Sequence, residues 1–324
     1  MRIKIYKTFE IDDILWSQIT KGFNESFDSN VSNDSIKSGF CISNPMGFAY
    51  HAVAFADDGD VMGFNTFTPS FYKDDIKVLV SGSSFVRKKY RKDIFIFYDM
   101  VAALREKGKE EGFHVTVGVP NKNSREYAVK VLKNKYIADL NYYILPYNIS
   151  KCINKPFLTP FDYVNRFICI THLGLQTIWT KFFNKTEKEV KYVMLSDDKS
   201  LERRFQQSIY KRYNDGCFNA HYRIVRENNA NAIYLMDYRE NGKRTSRSLC
   251  KAIWYLIKHE KPDIILYVGF LHLKQFVLFK VPYKYIPKRL PMTYYVLDKT
   301  NEQRFSDMAY SANWNFSLMN FDAR

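Results

Sequence analysis

The chain is poor in the residue patterns that mark several common chemistries. Its five cysteines (Cys41, Cys152, Cys169, Cys217 and Cys250) are odd in number and never form a Cys-x-x-Cys pair. That spacing excludes a zinc knuckle and a disulfide frame and fits reduced thiols in a cytoplasmic protein. Six histidines are scattered, and none stands in a His-Glu-x-x-His or other metal spacing, so no metal site is expected. His114 and His172 read as strand or core residues. There is no P-loop and no Gly-x-Ser-x-Gly elbow. The amino terminus, MRIKIYKTFEIDD, has no apolar stretch of the kind a secretion signal needs. The most apolar helical candidate, Phe167–Trp179, is too short and too polar to span a bilayer. No helix-turn-helix, RNP-like segment or zinc finger is present, so nucleic-acid binding is disfavoured.

Acidic residues are also in deficit. Lys and Arg number 49 against 34 Asp and Glu, a net charge of +15. Such an excess suits a polyanionic partner (a nucleotide cofactor, an acidic substrate, nucleic acid or an anionic membrane), and equally a Lys-rich surface that keeps the protein soluble. With 324 residues, 46% of them hydrophobic and 17% aromatic, the chain is globular and long enough for two domains.

The first half reads as mixed α/β. Residues 12–27 carry apolar positions 14, 15, 19 and 23, a helical spacing. Residues 51–68 read as a hairpin around Asp57-Asp58-Gly59-Asp60, and 76–86 as a third strand with Gly82 as a bulge or close-approach point. A basic turn follows. Five of the six residues from Arg87 to Lys92 are Lys or Arg. A helix from about Ile94 to Glu111 has its stripe at 94, 97, 98, 101 and 104, Asp93 as N-cap and Gly112 as C′ residue. Residues 114–120 form a buried strand, 124–135 a second helix and 136–147 a last strand.

Residues 150–163 hold two prolines and little periodicity, so the domain joint is expected there, giving domains 1–150 and 151–324. An amphipathic linker helix spans roughly 164–183. The second half repeats the order of elements: a strand at 190–195, a helix at 200–213 and a hairpin at 221–239 turned by Glu227-Asn228-Asn229. A helix at 246–260, a strand at 263–269, a short helix at 271–280 and closing strands at 292–298 and 313–322 follow. The halves share this order without repeating residues, and Glu227 and Asp237 are candidates for a base or ordinary surface carboxylates.

A phosphate at the amino terminus of a helix gains backbone N–H bonds and the dipole's positive end. The turn from Arg87 to Lys92 is therefore either a phosphate site or a solvated basic turn. The second half offers a similar turn, where Lys243, Arg244 and Arg247 precede a helix that Ser246 or Ser248 could cap.

The order strand, basic turn, long helix, buried strand, then PNKNSREYAVKVLKNKYI resembles the GNAT acyltransferase superfamily over about residues 50–145. Val86, Tyr90, Arg91 and Ile94 match its V-x-x-x-Y-R-G-x-G-I pattern, and Asn121 with Ser124 match its N-x-x-S element. The resemblance implies an α/β (α+β) fold of two GNAT-like domains, each a mostly antiparallel mixed sheet with helices on both faces. It implies acetyl-CoA or another acyl-CoA as co-substrate and no metal. The backbone of Ser84, Phe85 and Val86 would pair with the pantetheine arm. The amides of Arg91, Lys92, Asp93, Ile94 and Phe95 would hold the pyrophosphate, with Asn121 and Ser124 near the cofactor. The implied reaction is transfer of an acyl group, acetyl above all, to an amine of a small metabolite or amino sugar by direct attack on the thioester. Tyr127 is the candidate acid for the departing thiolate, or a packing tyrosine. The chain departs from the pattern at both turn glycines, where Arg91-Lys92-Asp93-Ile94-Phe95 is one residue shorter, and at Lys135-Tyr136, where the family has Gly-Phe. These departures leave open a GNAT-fold protein that binds a ligand or partner protein without catalysis.

Overall fold

The structure is a computed structural model, and it describes residues 1–42, 46–121, 124–195, 205 and 209–321. In chain order the first elements are β1 (Arg2–Lys7), α1 (Asp13–Phe27), α2 (Asn33–Ile42), β2 (Tyr50–Phe55), β3 (Val61–Tyr72) and β4 (Ile76–Val86). Then come α3 (Phe95–Glu110), β5 (Val115–Gly118), α4 (Arg125–Lys130), β6 (Lys135–Asp139), β7 (Asn141–Pro146), α5 (Ile149–Cys152) and α6 (Thr159–Phe182). The remainder is β8 (Tyr192–Val193), β9 (Lys211–Asn214), β10 (Phe218–Glu227), β11 (Ala230–Glu240), α7 (Ser246–Glu260), β12 (Ile264–Gly269), β13 (Phe279–Lys280), β14 (Pro291–Val296) and β15 (Trp314–Asn315).

The chain forms two compact units. The first comprises Met1–Asp139, Tyr192–Gln207 and Arg289–Asn313, and the second Leu140–Lys191, Ser208–Lys288 and Trp314–Arg324. The first unit holds a sheet of order β1-β2-β3-β4-β5-β14-β6 and the second one of order β13-β7-β12-β11-β10-β9. In each, one parallel pair interrupts antiparallel ladders, β4 with β5 and β11 with β12.

Local sequence explains most elements. Asp12 caps α1 by accepting from Leu15 N at 2.7 Å. In α3, Gly112 takes φ +75° and closes the helix, with Gly112 N on Lys109 O and Phe113 N on Gly108 O. The buried stripe of α3 is Ile96, Met100, Val101 and Leu104, whereas Ile94 and Tyr98 are exposed. The expected stripe was therefore rotated by part of a turn, because the sheet selects Ile96 and Met100 to meet Tyr50, Ala52 and Leu79. Trp16 and Ile19 of α1 cover the opposite face with Val53, Phe64 and Phe85. In the second unit α7 buries Leu249, Ala252, Ile253 and Leu256, the larger of them contributing about 1.5–3 kcal/mol each. Cys169 and Leu173 of α6 join that same cluster.

Several expectations need correction. The strand expected at 136–147 is two strands, β6 and β7, in different sheets, with Leu140 between them. No helix forms at 271–280, because a tertiary bond and a local side-chain clasp satisfy its backbone groups outside a helical ladder. Lys188 N binds His272 O, and Gln275 bonds both the N–H and the carbonyl of Leu278. The strand at 292–298 does not close the second half; as β14 it lies between β5 and β6. The helix expected at 200–213 falls largely outside the described residues, and Lys211–Asn214 at its end is strand β9.

Each parallel pair is thus completed by an antiparallel strand from the other half of the sequence. β14 flanks β5, and β7 flanks β12. No helix among the described residues is long and apolar enough to cross a membrane.

Candidate functional site

In the first unit the parallel ladder is three pairs long: Val78 with Val115, Leu79 with Thr116 and Val80 with Val117. β4 continues to Val86, but among the described residues no backbone segment pairs with it on the β5 side beyond Val80. Gly118 marks the divergence. A Cβ there would meet Ser81 Cβ at 3.3 Å, so glycine allows the two strands to part from a tight contact. Opposite Asn65 of β3, two residues of β4, Ser83 and Ser84, stand against one. That bulge is what Gly82 signalled in the sequence, and it turns backbone groups away from the ladder. The side of Gly82 itself is open, with no atom within 4 Å of where its Cβ would be.

The basic turn follows Val86. Arg87 is half-buried and engaged by carboxylates of the fold. Its Nε lies 2.9 Å from Glu25 Oε2 and its Nη1 2.7 Å from Asp60 Oδ1. Asp60 also accepts from Tyr90 Oη at 3.1 Å, and Lys89 foremost holds its carboxyl below the usual range. Lys88 pairs with Asp28 at 3.3 Å, and Arg91 Nε donates to Val86 O at 2.8 Å. Four of the five cations are thus engaged within the fold, and Lys92 is exposed. Among the described residues the amides of Lys92 and Ile94 have no acceptor. Those of Ile96 and Phe97 lie in the first turn of α3, where no acceptor exists inside the helix. Asp93 accepts from Phe95 N at 2.9 Å, so its negative charge caps the helix although Ile94 occupies the N-cap place.

Asn121 and Ser124 cap α4 together, with Ser124 N on Asn121 Oδ1 at 2.9 Å and Ser124 Oγ on the same oxygen at 3.1 Å. Tyr127 Oη donates to Ile94 O at 2.7 Å, beside the basic turn, and its ring packs on Phe97. Burial, above all, raises its pKa, which keeps the phenol protonated at neutral pH. Val86, the turn from Arg91 to Phe95, and Tyr127 are thus joined at the amino-terminal end of α3 by the Arg91–Val86 and Tyr127–Ile94 bonds, with Ser84 and Phe85 preceding Val86 on β4.

Sequence reasoning missed three contributors. Asn65 is fully buried beside the bulge. Its Oδ1 accepts from Thr66 N at 2.9 Å, and its Nδ2 has no partner among the described residues. A polar amide inside the apolar strand VMGFNTFT was the signal for it. Asp60 gathers the turn's cations, which no local pattern shows. Arg105 of α3 binds Leu132 O at 2.8 Å and Asn134 Oδ1 at 2.5 Å, fixing the loop after α4.

The second unit repeats this geometry and then fills it. β11 pairs with β12 over Ala232–Tyr234 and Ile264–Leu266, and Met236 bulges opposite the step from His221 to Tyr222. Beyond the ladder the edge of β12 that faces β11 is taken by the chain's own carboxyl-terminal segment. Leu318 N binds Val268 O at 3.1 Å and Phe270 N binds Phe316 O at 2.8 Å. Arg244, the cation of the second basic turn, points inward. Its Nη2 lies 2.6 Å from Asp237 Oδ1 and its Nη1 3.5 Å from Glu187. Burial alone would raise the Asp237 carboxyl, but the Arg244 and Arg239 guanidiniums overcome it and hold the pKa at about 2. Asp237 is therefore a buried ion-pair member, too weak a base to take a proton from an amine. Glu227 accepts a hydrogen bond from the Tyr234 hydroxyl. Among the described residues no group of three or more His, Cys, Asp and Glu could hold a metal ion.

No family model and no curated protein sequence matches this chain. Solved structures do. A GCN5-related N-acetyltransferase from Anabaena variabilis aligns with TM-score 0.56 at 9% identity, over 92% of this chain and 73% of its own. A protein from Enterococcus faecalis, described as a probable N-acyltransferase, aligns with TM-score 0.54 at 8% identity over 91% and 72%. The divergent β4–β5 pair, the bulge and the helix between them thus belong to a chain that has the fold of the GNAT N-acetyltransferases.

Proposed function

We propose that the protein is an acyl-CoA-dependent N-acyltransferase whose first unit carries the site. The observation that carries this reading is the divergence of β4 from β5 beyond Val80 and Val117, next to the unpaired amides at the start of α3. A pantetheine arm is a chain of amides that can pair with β4 as an added strand. A diphosphate gains from the Lys92 and Ile94 amides and from the helix dipole. The residues present suit that group through backbone rather than side chains, since most of the turn's cations already have partners. Acetyl is the acyl group the reading favours, with a small amine or amino sugar as acceptor and the cytoplasm as compartment. The two sheets are read as tandem GNAT-like domains, the joint near 150 in sequence terms.

The chain's own groups would act as follows. A backbone N–H near the bulge at Ser83–Ser84 polarises the thioester carbonyl. The fold aligns the acceptor nitrogen, which bonds to the carbonyl carbon as the C–S bond breaks. Water or a base takes the amine proton, and Tyr127 returns a proton to sulfur. A thiol pKa of about 8.5 keeps this help at the lower end of what a general acid supplies, about 10²-fold.

A non-catalytic GNAT-fold binding protein is the second reading. It is favoured by the Tyr127 hydroxyl, which is directed at Ile94 O rather than left free. Thiol release from acetyl-CoA, followed with a panel of primary amines that includes amino sugars, separates the two. Amine-dependent release is expected. Bound acetyl-CoA with no release above background for any amine would leave the second reading standing.

A further inference from the structure

The longest helix, α6, carries an apolar seam that faces solvent. Counted from the short helical turn before it, the seam positions are 157, 161, 164, 168, 171, 175, 178 and 182, a strict alternation of four and three. That is a heptad spacing. Apart from Thr171 every seam residue is a large apolar one, and those seven are 56% exposed at Ile178 to 77% at Phe182. The residues α6 buries against its own unit, Asp162, Cys169, Leu173 and Thr180, lie on the other side of the helix. The seam is thus additional to the core face.

We propose that this face is the interface of a homodimer in which two copies of α6 pack antiparallel. Antiparallel pairing about a two-fold axis between Cys169 and Ile170 sets Phe157 against the partner's Phe182 and Phe161 against the partner's Ile178. It sets Val164 against the partner's Leu175 and Ile168 against the partner's Thr171. Bulky pairs then lie at the ends and the smallest at the centre, and the helix dipoles oppose. The seam and its exposed neighbours Tyr163, Phe167 and Trp179 amount to on the order of 1,000 Å² per protomer, at aromatic areas of about 150–250 Å² each. A standard interface needs about 800 Å² per partner. Charge points the same way. Between Thr159 and Phe182 the helix has Asp162, Arg166 and Lys181 as its charged residues, Asp162 buried and Arg166 bound to Asn148 at 2.6 Å. Interface centres are depleted of charge in this manner, whereas a helix lying on a membrane carries a Lys- and Arg-rich polar face.

Sedimentation of the full chain from about 1 to 100 μM tests this, a range at or above the μM to pM affinities of interfaces of this area. The expected species has twice the 38.4 kDa of one chain. Phe161→Glu and Ile178→Lys should each give single chains with unchanged circular dichroism, since both side chains face solvent in the monomer. The double variant should restore the dimer, because only the antiparallel register brings the new carboxylate at position 161 beside the new ammonium at position 178 of the second copy. A wild-type monomer, a dimer unmoved by either single variant, or a double variant that stays monomeric each overturns the proposal. A monomer that floats with phosphatidylserine vesicles would overturn it in favour of a membrane surface.

Discussion

Val80 and Val117 are the last partners of the parallel ladder between β4 and β5, and beyond them the two strands share no pairing. The matching relationship in the second unit, Tyr234 with Leu266, is followed by a backbone segment that pairs with β12. The two units therefore share a short parallel ladder and differ in what lies beside its end, which is why the proposed site is placed in the first.

Replacing Tyr127 with Phe removes the hydroxyl that donates to Ile94 O. If this phenol returns the proton to sulfur, kcat should fall about 10²-fold, the lower end for general acid catalysis. KM for the acyl donor should move little. Steady-state kinetics of the purified variant check this, and an unchanged kcat would make Tyr127 a packing residue.

Gly269, the last residue of β12, stands directly against Ser317 of the tail. A Cβ there would lie 2.5 Å from Phe316 O and 2.6 Å from Ser317 Cβ. Gly269→Ala should therefore displace the segment around Ser317 and cost about 1–3 kcal/mol by overpacking. Thermal unfolding would show the loss. Hydrogen exchange should quicken at Phe270 and Leu318, whose amides join the two segments.

These elements divide by how far their causes lie along the chain. β4 and α7 occupy the sequence-read ranges 76–86 and 246–260, because strand alternation and helical periodicity are local signals, but the cap of α7 is Thr245, with Ser248 bonding back to it, rather than Ser246 or Ser248 itself. The rotated stripe of α3 was not legible, since the positions facing inward depend on a sheet built by residues elsewhere. The exchange of β7 and β14 was hidden for the same reason, as alternation marks a strand without naming its neighbour. At the site, the basic turn and the Asn121-x-x-Ser124 element could be singled out from the sequence, but that these two residues bond to each other at the start of α4 could not. The carboxylates that occupy Arg87 could not. Asp60 comes from a hairpin turn and Glu25 from α1, and no spacing connects them to the turn.

Acid should weaken the fold through His51. It is buried between Thr8 Oγ1 at 2.9 Å and Thr66 Oγ1 at 3.0 Å, and burial lowers its pKa to about 3. The unfolded chain takes a proton near pH 6.5 and the folded one does not, so this contribution is complete above 6.5 and lost as pH falls toward 3. His51→Gln should lower the pH slope of unfolding free energy by about 1.4 kcal/mol per unit below pH ~6. Denaturant melts at several pH values measure it, and an unaltered slope would contradict the assignment.

The central claim is that the opening beyond Val80 and Val117 receives an acyl-CoA. Isothermal titration of acetyl-CoA into the full chain at neutral pH tests it most directly. The account expects saturable binding of about one ligand per chain with a micromolar-range Kd, near −8 kcal/mol. No heat of binding at millimolar acetyl-CoA, from a chain whose unfolding remains cooperative, would contradict it.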